Sequence, residues 1–253
     1  MTREERIALA NSEPRWMYEF DLGEGISTPL LAEELRSVHQ TREGAILPLI
    51  DRLYPAGLGK THCLDVACNE GYFSHLLYKR GAVVRGIDIR NVNIQRARTI
   101  QELYGLETDR LQFEVEDFLL NKDAPDTYEL VLFLGLLYHL ENPMGALRIL
   151  YRISRNLVVI DTQLTRHNAP VESGWGQTDV HLELPSSVAL FQENDFEGNN
   201  LASWKNLSFI PNAAAMKQML YAAGFSIVMQ LAAKPGSNPQ YLNNDRGIFV
   251  AFK

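Results

Sequence analysis

From Thr61 to Thr162 the chain alternates short apolar runs with segments of helical periodicity, and this alternation constrains the fold most. The runs THCLDVA, AVVRGIDI, RLQFEVED, YELVLFL and NLVVIDT predict five strands, and the stretches between them predict helices. Strands separated by helices form right-handed βαβ units and therefore a mostly parallel sheet. The continuous apolar run of the fourth strand is typical of a strand buried on both faces.

Two further strands, in FSIVMQLAA and RGIFVAFK, are expected to form an antiparallel pair at the sheet edge. The predicted fold class is therefore α/β, with a Rossmann-like, seven-stranded, mostly parallel sheet and helices on both faces. Residues 1–60 are expected to form an N-terminal helical cap, with helices from Thr28 through Val38 and on to about Tyr54, over a main domain at 61–253. Residues 163–210 show little periodicity, which predicts an insertion or lid after strand five.

Composition and charge restrict the classes of partner. The chain has 253 residues and a net charge of −7, without a basic stripe, so a large electrostatic surface for nucleic acid is not expected. No apolar run reaches the ~20 residues that span a bilayer, and the charged N-terminus lacks the apolar core of a signal peptide. We expect a cytoplasmic protein with no membrane partner. The two cysteines, Cys63 and Cys68, predict neither a disulfide framework nor a metal site.

The segment LDVACNEGYF predicts a strand, a tight turn and a helix. Its turn is built from small residues, Ala67, Cys68 and Gly71, which allow a ligand to approach the backbone closely. Ala67 and Asn69 stand where a ligand-binding loop usually has glycine, and Asn is the non-glycine residue most tolerant of positive φ. The helix that follows offers free N–H groups to a ligand. Taken alone, the segment is equally typical of an ordinary strand–turn–helix corner.

Two neighbouring strand ends change this interpretation. GIDI places Asp88 and Ile89 at the end of strand two, and EDF places Asp117 and Phe118 at the end of strand three. One acid can accept ribose hydroxyls, the other can accept the adenine amino group, and an aromatic ring can stack on the base. Three consecutive strand ends thus predict an adenosine ligand. The dinucleotide motif G-x-G-x-x-G and the P-loop motif G-x-x-x-x-G-K-[ST] are both absent.

These motifs as a set resemble the class I S-adenosylmethionine-dependent methyltransferases over residues 61–162. LDVACNEGYF resembles the first motif of that class, GIDI its ribose-binding acid, EDF its adenine motif, and LVLFLGLLYHLENP its fourth strand and following turn. The resemblance implies S-adenosylmethionine as cofactor and S-adenosylhomocysteine as product. The residues it implies for cofactor binding are Asp65, Ala67, Cys68, Asn69, Gly71, Asp88, Ile89, Asp117, Phe118 and Leu134.

A narrower resemblance runs from about Trp16 to Lys253. FLGLLYHLENPMGAL and WKNLSFIPNAAAMKQMLYAAGF, with an aromatic N-terminal segment, are similar to the tRNA wobble-uridine carboxymethyltransferases. That branch uses carboxy-S-adenosylmethionine and holds its extra carboxylate with a tyrosine, matched by Tyr138, an arginine, matched by Arg246, and a lysine. No lysine precedes Lys60, and an unpaired carboxylate is costly to bury. We therefore expect S-adenosylmethionine in preference to its carboxylated form, and a different acceptor.

The acceptor site is expected beside strand four. His139 and His181 are the candidate bases, although His139 can equally cap a turn and His181 can lie in an extra strand, TDVHLEL. Tyr138 is a further catalytic candidate. Aromatic residues around the entrance either form an acceptor pocket or pack the cap on the sheet. The substrate-binding candidates are Trp16, Tyr18, Trp175, Trp204 and Arg246.

Three functions follow from these observations. The favoured one is methyl transfer to an oxygen or nitrogen atom of a small molecule. The first alternative is a transferase that modifies the wobble uridine of tRNA, which the acidic composition disfavours. The second is a non-catalytic scaffold that binds an adenosyl ligand, suggested by Ala67 and Asn69 but disfavoured by intact Asp88 and Asp117.

Overall fold

The computed structural model describes residues 1–12, 15–167, 186–192 and 207–253. Trp175, His181 and Trp204 lie outside the described residues. In chain order, the helices are α1 (Arg3–Ala10), α2 (Glu34–Leu53), α3 (Tyr72–Lys79), α4 (Asn91–Leu103), α5 (Pro143–Ile153), α6 (Ala213–Ala223) and α7 (Pro239–Leu242). The strands are β1 (Asp21–Gly23), β2 (Ile26–Ser27), β3 (His62–Val66), β4 (Val83–Asp88), β5 (Leu111–Val115), β6 (Tyr128–Leu134), β7 (Ser154–Gln163), β8 (Val188–Gln192), β9 (Leu207–Pro211), β10 (Ile227–Gln230) and β11 (Arg246–Phe252).

Seven strands form the central sheet in the order β10-β11-β7-β6-β3-β4-β5. Neighbouring strands from β7 to β5 are parallel, whereas β11 is antiparallel to both β7 and β10. The predicted Rossmann-like fold is confirmed, including the antiparallel pair at the edge. Because the sheet order reverses beside β3, the carboxyl ends of β3 and β6 flank the crevice in which α/β proteins bind ligands.

Helices cover both faces of this sheet. On one face α2, α3 and α4 bury Ile46, Phe73 and Ile94, and on the other α5 and α6 bury Leu147 and Met216. The strands contribute alternate side chains to the two layers, as a sheet buried on both faces requires. No helix in the described part of the chain is long and apolar enough to cross a membrane.

The N-terminal region differs from the prediction in two ways. A helix not predicted from the sequence, α1, begins with a capping box in which Thr2 and Glu5 bond each other's backbone N–H groups. The predicted pair of helices is a single helix, α2, which begins at Glu34. Thr28 does not begin a helix because its buried hydroxyl bonds Phe20 and Tyr18 within a turn.

The described part of the insertion contains a hairpin that the sequence analysis did not predict. Strand β8 pairs with β9 in an antiparallel register from Val188–Pro211 to Gln192–Leu207. The apolar residues of β8 are consecutive, in VALFQ, and do not alternate with polar ones, so the sequence gives no signal of period two. Most of the side chains of β8 are exposed. The pairing therefore depends on the distant partner strand.

Candidate active site

The loop after β3 turns with backbone angles that usually require glycine. Ala67, Asn69 and Gly71 have φ of 53°, 52° and 80°, so all three lie in the left-handed region. A Cβ on Gly71 would lie 2.6 Å from the ring of Phe113, which explains why the third position has kept its glycine. The two substituted positions thus retain the glycine-like conformation, and we call residues 65–71 the cofactor loop.

Asp65 lies buried beneath the cofactor loop. Its carboxylate accepts a hydrogen bond of 2.6 Å from the hydroxyl of Ser74 on α3. Burial raises the pKa of Asp65 to about 7, and the bonds from Ser74 oppose that shift. Because a nearby cation would favour the ionised form, this carboxyl group is poised to gain from a positively charged ligand.

Asp88 ends β4 and supports the cofactor loop from the side. Its carboxylate accepts the N–H groups of Asn69 at 3.1 Å and Arg90 at 2.8 Å, and the amide of Asn93 at 3.2 Å. Burial raises its pKa, although these hydrogen bonds oppose the shift. The next residue, Ile89, is 65% exposed and presents an apolar surface at the same edge.

The end of β5 matches the prediction only in part. Asp117 stands at the edge and accepts the N–H of Leu119 at 2.9 Å, at the start of the short 3-10 helix Phe118–Leu120. Phe118 is buried, and its ring packs on Phe133 with centroids 5.4 Å apart, so it offers no face to a base. Exposed apolar side chains at this corner include those of Ile89, Val115, Leu119 and Leu120.

The cap is attached to the cofactor loop through Glu70. Its buried carboxylate accepts the N–H of Met17 at 3.0 Å and lies 3.5 Å from the guanidinium of Arg96. Burial raises the pKa of Glu70 to about 7. The ring of Trp16 is fully buried 4.4 Å from the Arg96 guanidinium. Trp16 therefore packs the N-terminal segment on the sheet, which is one of the two roles that the sequence leaves open for these aromatic residues.

Tyr18 also belongs to this packing, but it reaches a cavity. Its buried ring lies between His39 and Tyr72, with centroid distances of 4.2 and 4.9 Å. Burial raises its pKa to about 12. The same ring lines a cavity of about 590 Å³ beside α2.

A buried charge cluster lies at the end of β7. Asp161 is fully buried and accepts hydrogen bonds from Arg42 at 2.8 Å, Arg246 at 2.6 Å and Tyr241 at 2.5 Å. Burial would raise the pKa of Asp161, but Arg246 and Arg42 together lower it to about 2. We call Arg42, Asp161, Tyr241, Arg246 and Tyr138 the arginine cluster.

Tyr138 and Arg246 meet in this cluster. A guanidinium nitrogen of Arg246 donates to the Tyr138 hydroxyl at 3.1 Å. His139 is half-buried, and its ring centroid lies 4.1 Å from that of Tyr138. Both follow β6, whose last residue, Leu134, is partly buried and precedes Gly135 with φ of 82°. The structure thus brings three of the predicted acceptor-site residues together.

Sequence analysis missed Arg42, although a signal was present. On α2 the residues Val38, Arg42 and Ile46 follow one another at intervals of four and are all buried. An arginine in the middle of an apolar helix face indicates a buried cation with an acidic partner. Its partner, Asp161, is 119 positions away in the sequence. No group of three or more His, Cys, Asp or Glu side chains in the described ranges is arranged to hold a metal ion.

Comparison with solved structures agrees with this fold. The N-terminal domain of EvdMO1, crystallised in the presence of SAH and D-fucose, superposes with a TM-score of 0.68 at 20% identity, covering 99% of this chain and 96% of that one. Magnesium protoporphyrin IX methyltransferase (ChlM) from Synechocystis PCC 6803 with bound SAM gives a TM-score of 0.59 at 14% identity, covering 100% and 91%.

Curated sequences give shorter matches. Ubiquinone biosynthesis O-methyltransferase of Pseudomonas savastanoi pv. phaseolicola is 32% identical over 97 residues, which are 38% of this chain and 41% of that protein. The enzyme of the same name from Histophilus somni is 31% identical over 94 residues, 36% of this chain and 40% of that protein. The chain thus spans about two fifths of the length of the curated relatives it matches.

A family profile covers much more of the sequence. The family described as "Methyltransferase domain" matches residues 38–230, which include most of α2, the cofactor loop, and Arg42, Tyr138 and Asp161 of the arginine cluster. This match extends over about three quarters of the chain. The chain therefore belongs to the methyltransferase domain family.

Proposed function

We propose that this methyltransferase transfers the methyl group of S-adenosylmethionine to an oxygen or nitrogen atom of a small molecule. One observation carries the proposal: the ends of β3, β4 and β5 present, side by side, a left-handed loop and the carboxylates of Asp65, Asp88 and Asp117. Those groups suit the amino acid, ribose and adenine parts of an adenosyl ligand. The SAH and SAM carried by the structural neighbours support the same cofactor.

The residues present fit this cofactor. When bound, S-adenosylmethionine supplies an electrophilic methyl group on a positively charged sulfur. Asp65 is a buried carboxyl with a raised pKa, and a cationic ligand would stabilise its ionised form. Asp88 would hold the ribose hydroxyls, and Ile89 would lie against the adenine. Gly71 allows the left-handed turn that shapes the loop, and a side chain there would collide with Phe113 in the core.

Acceptor chemistry is assigned to the groups after β6. A hydroxyl acceptor must lose its proton during transfer, and His139 is the group we propose to remove it. Tyr138 would orient the acceptor, because its own hydroxyl is fixed by Arg246. We further propose that residues 1–60 act as the cap and residues 163–210 as the lid that exclude water from the reaction. The names of the curated relatives, O-methyltransferases, favour oxygen as the accepting atom.

A second candidate is the modification of the tRNA wobble uridine with carboxy-S-adenosylmethionine. The contact between Tyr138 and Arg246 favours it, because these residues match the carboxylate-binding pair of that branch. Arg42 lies beside them and could take the place of the missing lysine. The net charge of −7 counts against a tRNA partner.

Calorimetry and a transfer assay test the proposal together. S-adenosylmethionine and S-adenosylhomocysteine are titrated into the wild type, into Asp88→Ala and into the exposed control Asp109→Ala. We expect both ligands to bind the wild type and the control, and to bind Asp88→Ala about 100-fold more weakly, because two loop N–H groups and the ribose lose their acceptor. Failure of both ligands to bind the wild type would overturn the proposal, whereas binding without transfer to any acceptor would favour the scaffold function.

The transfer assay uses S-adenosylmethionine labelled in its methyl group. The acceptors are phenols, catechols, hexoses and amines, with an unmodified tRNA transcript as the alternative. We expect label in a small molecule, and a reduced kcat with little change in cofactor affinity for His139→Gln. Label found only in tRNA, or transfer only from the carboxylated cofactor, would replace the first candidate by the second.

A further inference from the structure

A second cavity, of about 640 Å³, opens at the same edge of the sheet on the side away from the cofactor loop. It lies between α2 and the segment that joins β10 to β11. Polar but uncharged side chains form much of its wall. These are Ser37, Gln40, Thr41, Gln230, Ser237 and Asn244.

The charged side chains that line this cavity are all basic. Lys217, Lys234 and Arg246 line it, and no Asp or Glu occurs among the described residues of its wall. The whole chain, in contrast, carries 31 acidic and 24 basic residues. Lys217 and Lys234 are exposed, and Lys234 donates to the carbonyl of Gly44 at 3.2 Å, which holds its ammonium group at the rim. A wholly basic wall on an acidic protein indicates a site for an anion.

Arg246 connects this cavity to the arginine cluster. Its guanidinium shares the single carboxylate of Asp161 with Arg42, so the two arginines and one aspartate leave a buried positive charge in excess. The Nε of Arg42 has no hydrogen-bond partner within the described ranges. His39, packed nearby, has its pKa lowered to about 3 by burial and by Arg42, so it is neutral and adds no charge. A buried excess charge is costly unless a counter-ion is supplied.

We propose that this cavity binds an acid group, a carboxylate or a phosphate, of the methyl acceptor. The inference rests on the proposed function and names the class of its substrate. Lys217 and Lys234 would attract the acid group at the rim, and Arg246 would bind it at the inner wall. These residues determine specificity and take no part in the transfer itself.

The cavity adjoins the groups that are assigned to the acceptor. Arg246, on the wall of the cavity, donates to the Tyr138 hydroxyl at 3.1 Å. An acid group bound at Arg246 would therefore lie beside the residue that is proposed to orient the acceptor.

The test measures preference for an acid over a neutral molecule of the same shape. The probes are 6-phenylhexanoate, 6-phenylhexyl phosphate and the neutral 6-phenylhexan-1-ol, titrated by calorimetry at low ionic strength with and without saturating S-adenosylhomocysteine. The variant is Lys217→Gln/Lys234→Gln, in which both exchanged residues are exposed. The matched control, Lys60→Gln/Lys122→Gln, removes the same charge from exposed positions outside the cavity wall.

We expect at least one acid to bind the wild type about fivefold more tightly than the alcohol, and the better of the two acids identifies the group. The cavity variant should lose this preference, the control should keep it, and both should bind S-adenosylhomocysteine as the wild type does. Equal binding of acids and alcohol, or a preference that survives in the cavity variant, would overturn the proposal. Because the acid preference is also measured without cofactor, failure of cofactor binding would count against the proposed function alone.

Discussion

The two halves of the sheet's carboxyl edge carry opposite charge. The half formed by β3, β4 and β5 presents the acids Asp65 and Asp88, both with raised pKa values. The half formed by β6, β7 and β11 presents Arg42 and Arg246 around one aspartate, Asp161, whose pKa is lowered. One sheet thus creates two electrostatic environments within a few strand spacings.

This difference shows how each half is suited to a different ligand. Carboxyl groups kept partly protonated by burial become ionised when a cation arrives, and the proposed methyl donor is a cation. An arginine pair with only one carboxylate attracts an anion, and the proposed acceptor carries an acid. Each half of the edge is therefore expected to bind a ligand whose charge is opposite to its own.

The largest expected effect comes from removing the only carboxylate found in the arginine cluster. Asp161→Asn leaves Arg42 and Arg246 buried without their partner, so we expect the free energy of unfolding to fall by about 3–5 kcal/mol. Urea denaturation measures this change. Asp245→Asn is the control, because its ion pair with Arg166 is exposed and should contribute less than about 1 kcal/mol. Similar losses for both variants would show that the buried carboxylate of Asp161 contributes no more to stability than an exposed ion pair does.

The second prediction concerns Asp65 in the cofactor-free protein. Its pKa is about 7 in the folded state against 3.8 as the ordinary value, so its contribution to stability is complete below pH 4 and is lost as the pH rises to about 7. Between pH 5 and pH 8 the free energy of unfolding should therefore fall by about 2–3 kcal/mol more in the wild type than in Asp65→Asn. Parallel pH profiles for the two proteins would contradict the raised pKa. Asp161 has the opposite sign, since its contribution is lost as the pH falls through 2.

The third prediction concerns the pH dependence of cofactor binding. A cationic ligand stabilises the carboxylate form of Asp65, so the affinity for S-adenosylmethionine should rise by up to about tenfold between pH 6 and pH 8. Binding should also release protons at pH 6.5, which calorimetry in two buffers of different ionisation enthalpy detects. Asp65→Asn should remove both effects, whereas the exposed control Asp109→Asn should keep them.

The smallest expected effect lies in the backbone of the cofactor loop. Ala67 has φ of 53°, which costs an alanine about 1 kcal/mol, and glycine avoids this cost but loses more entropy on folding. Ala67→Gly should therefore stabilise the protein by no more than about 0.5 kcal/mol, measured as a rise in Tm. Asn69→Gly should give a smaller rise or none, since asparagine tolerates this conformation well. A clear loss of stability in Ala67→Gly would show that the methyl group contributes packing that outweighs the strain.

The fold was predictable because the signal for each central element is local. The apolar runs that end in Val66, Asp88 and Leu134 mark their own strands, and the sheet order follows from general rules of connection. Strand β8 has no alternation of apolar and polar residues that would mark it in the sequence. It pairs with β9, a distant segment, so no local pattern predicts the hairpin. Helix α1 is marked in the sequence only by the capping box of Thr2 and Glu5, a short signal outside the alternating pattern of strands and helices.

The site was predictable on its acidic side more than on its basic side. Asp65 and Asp88 each follow directly from a strand end, so their proximity is a property of any parallel sheet. Arg42 comes from a helix outside the alternating pattern, and only the docking of α2 brings it to Asp161. Phe118 shows the opposite error, because a strand-end position does not determine which way a ring points, and here it points into the core.

The docking of α2 has a consequence for how the chain matures during synthesis. Asp161, the partner of Arg42, is synthesised 119 residues later. On the same helix, Thr41 and Ser37 form hydrogen bonds with Asn238, which follows them by 197 and 201 positions. At about 5–20 residues per second, the ribosome needs roughly 10–40 s to make that stretch. Until then, part of the surface against which α2 packs is missing. The contacts of α2 and the arginine cluster are therefore completed only when nearly the last residues have been added.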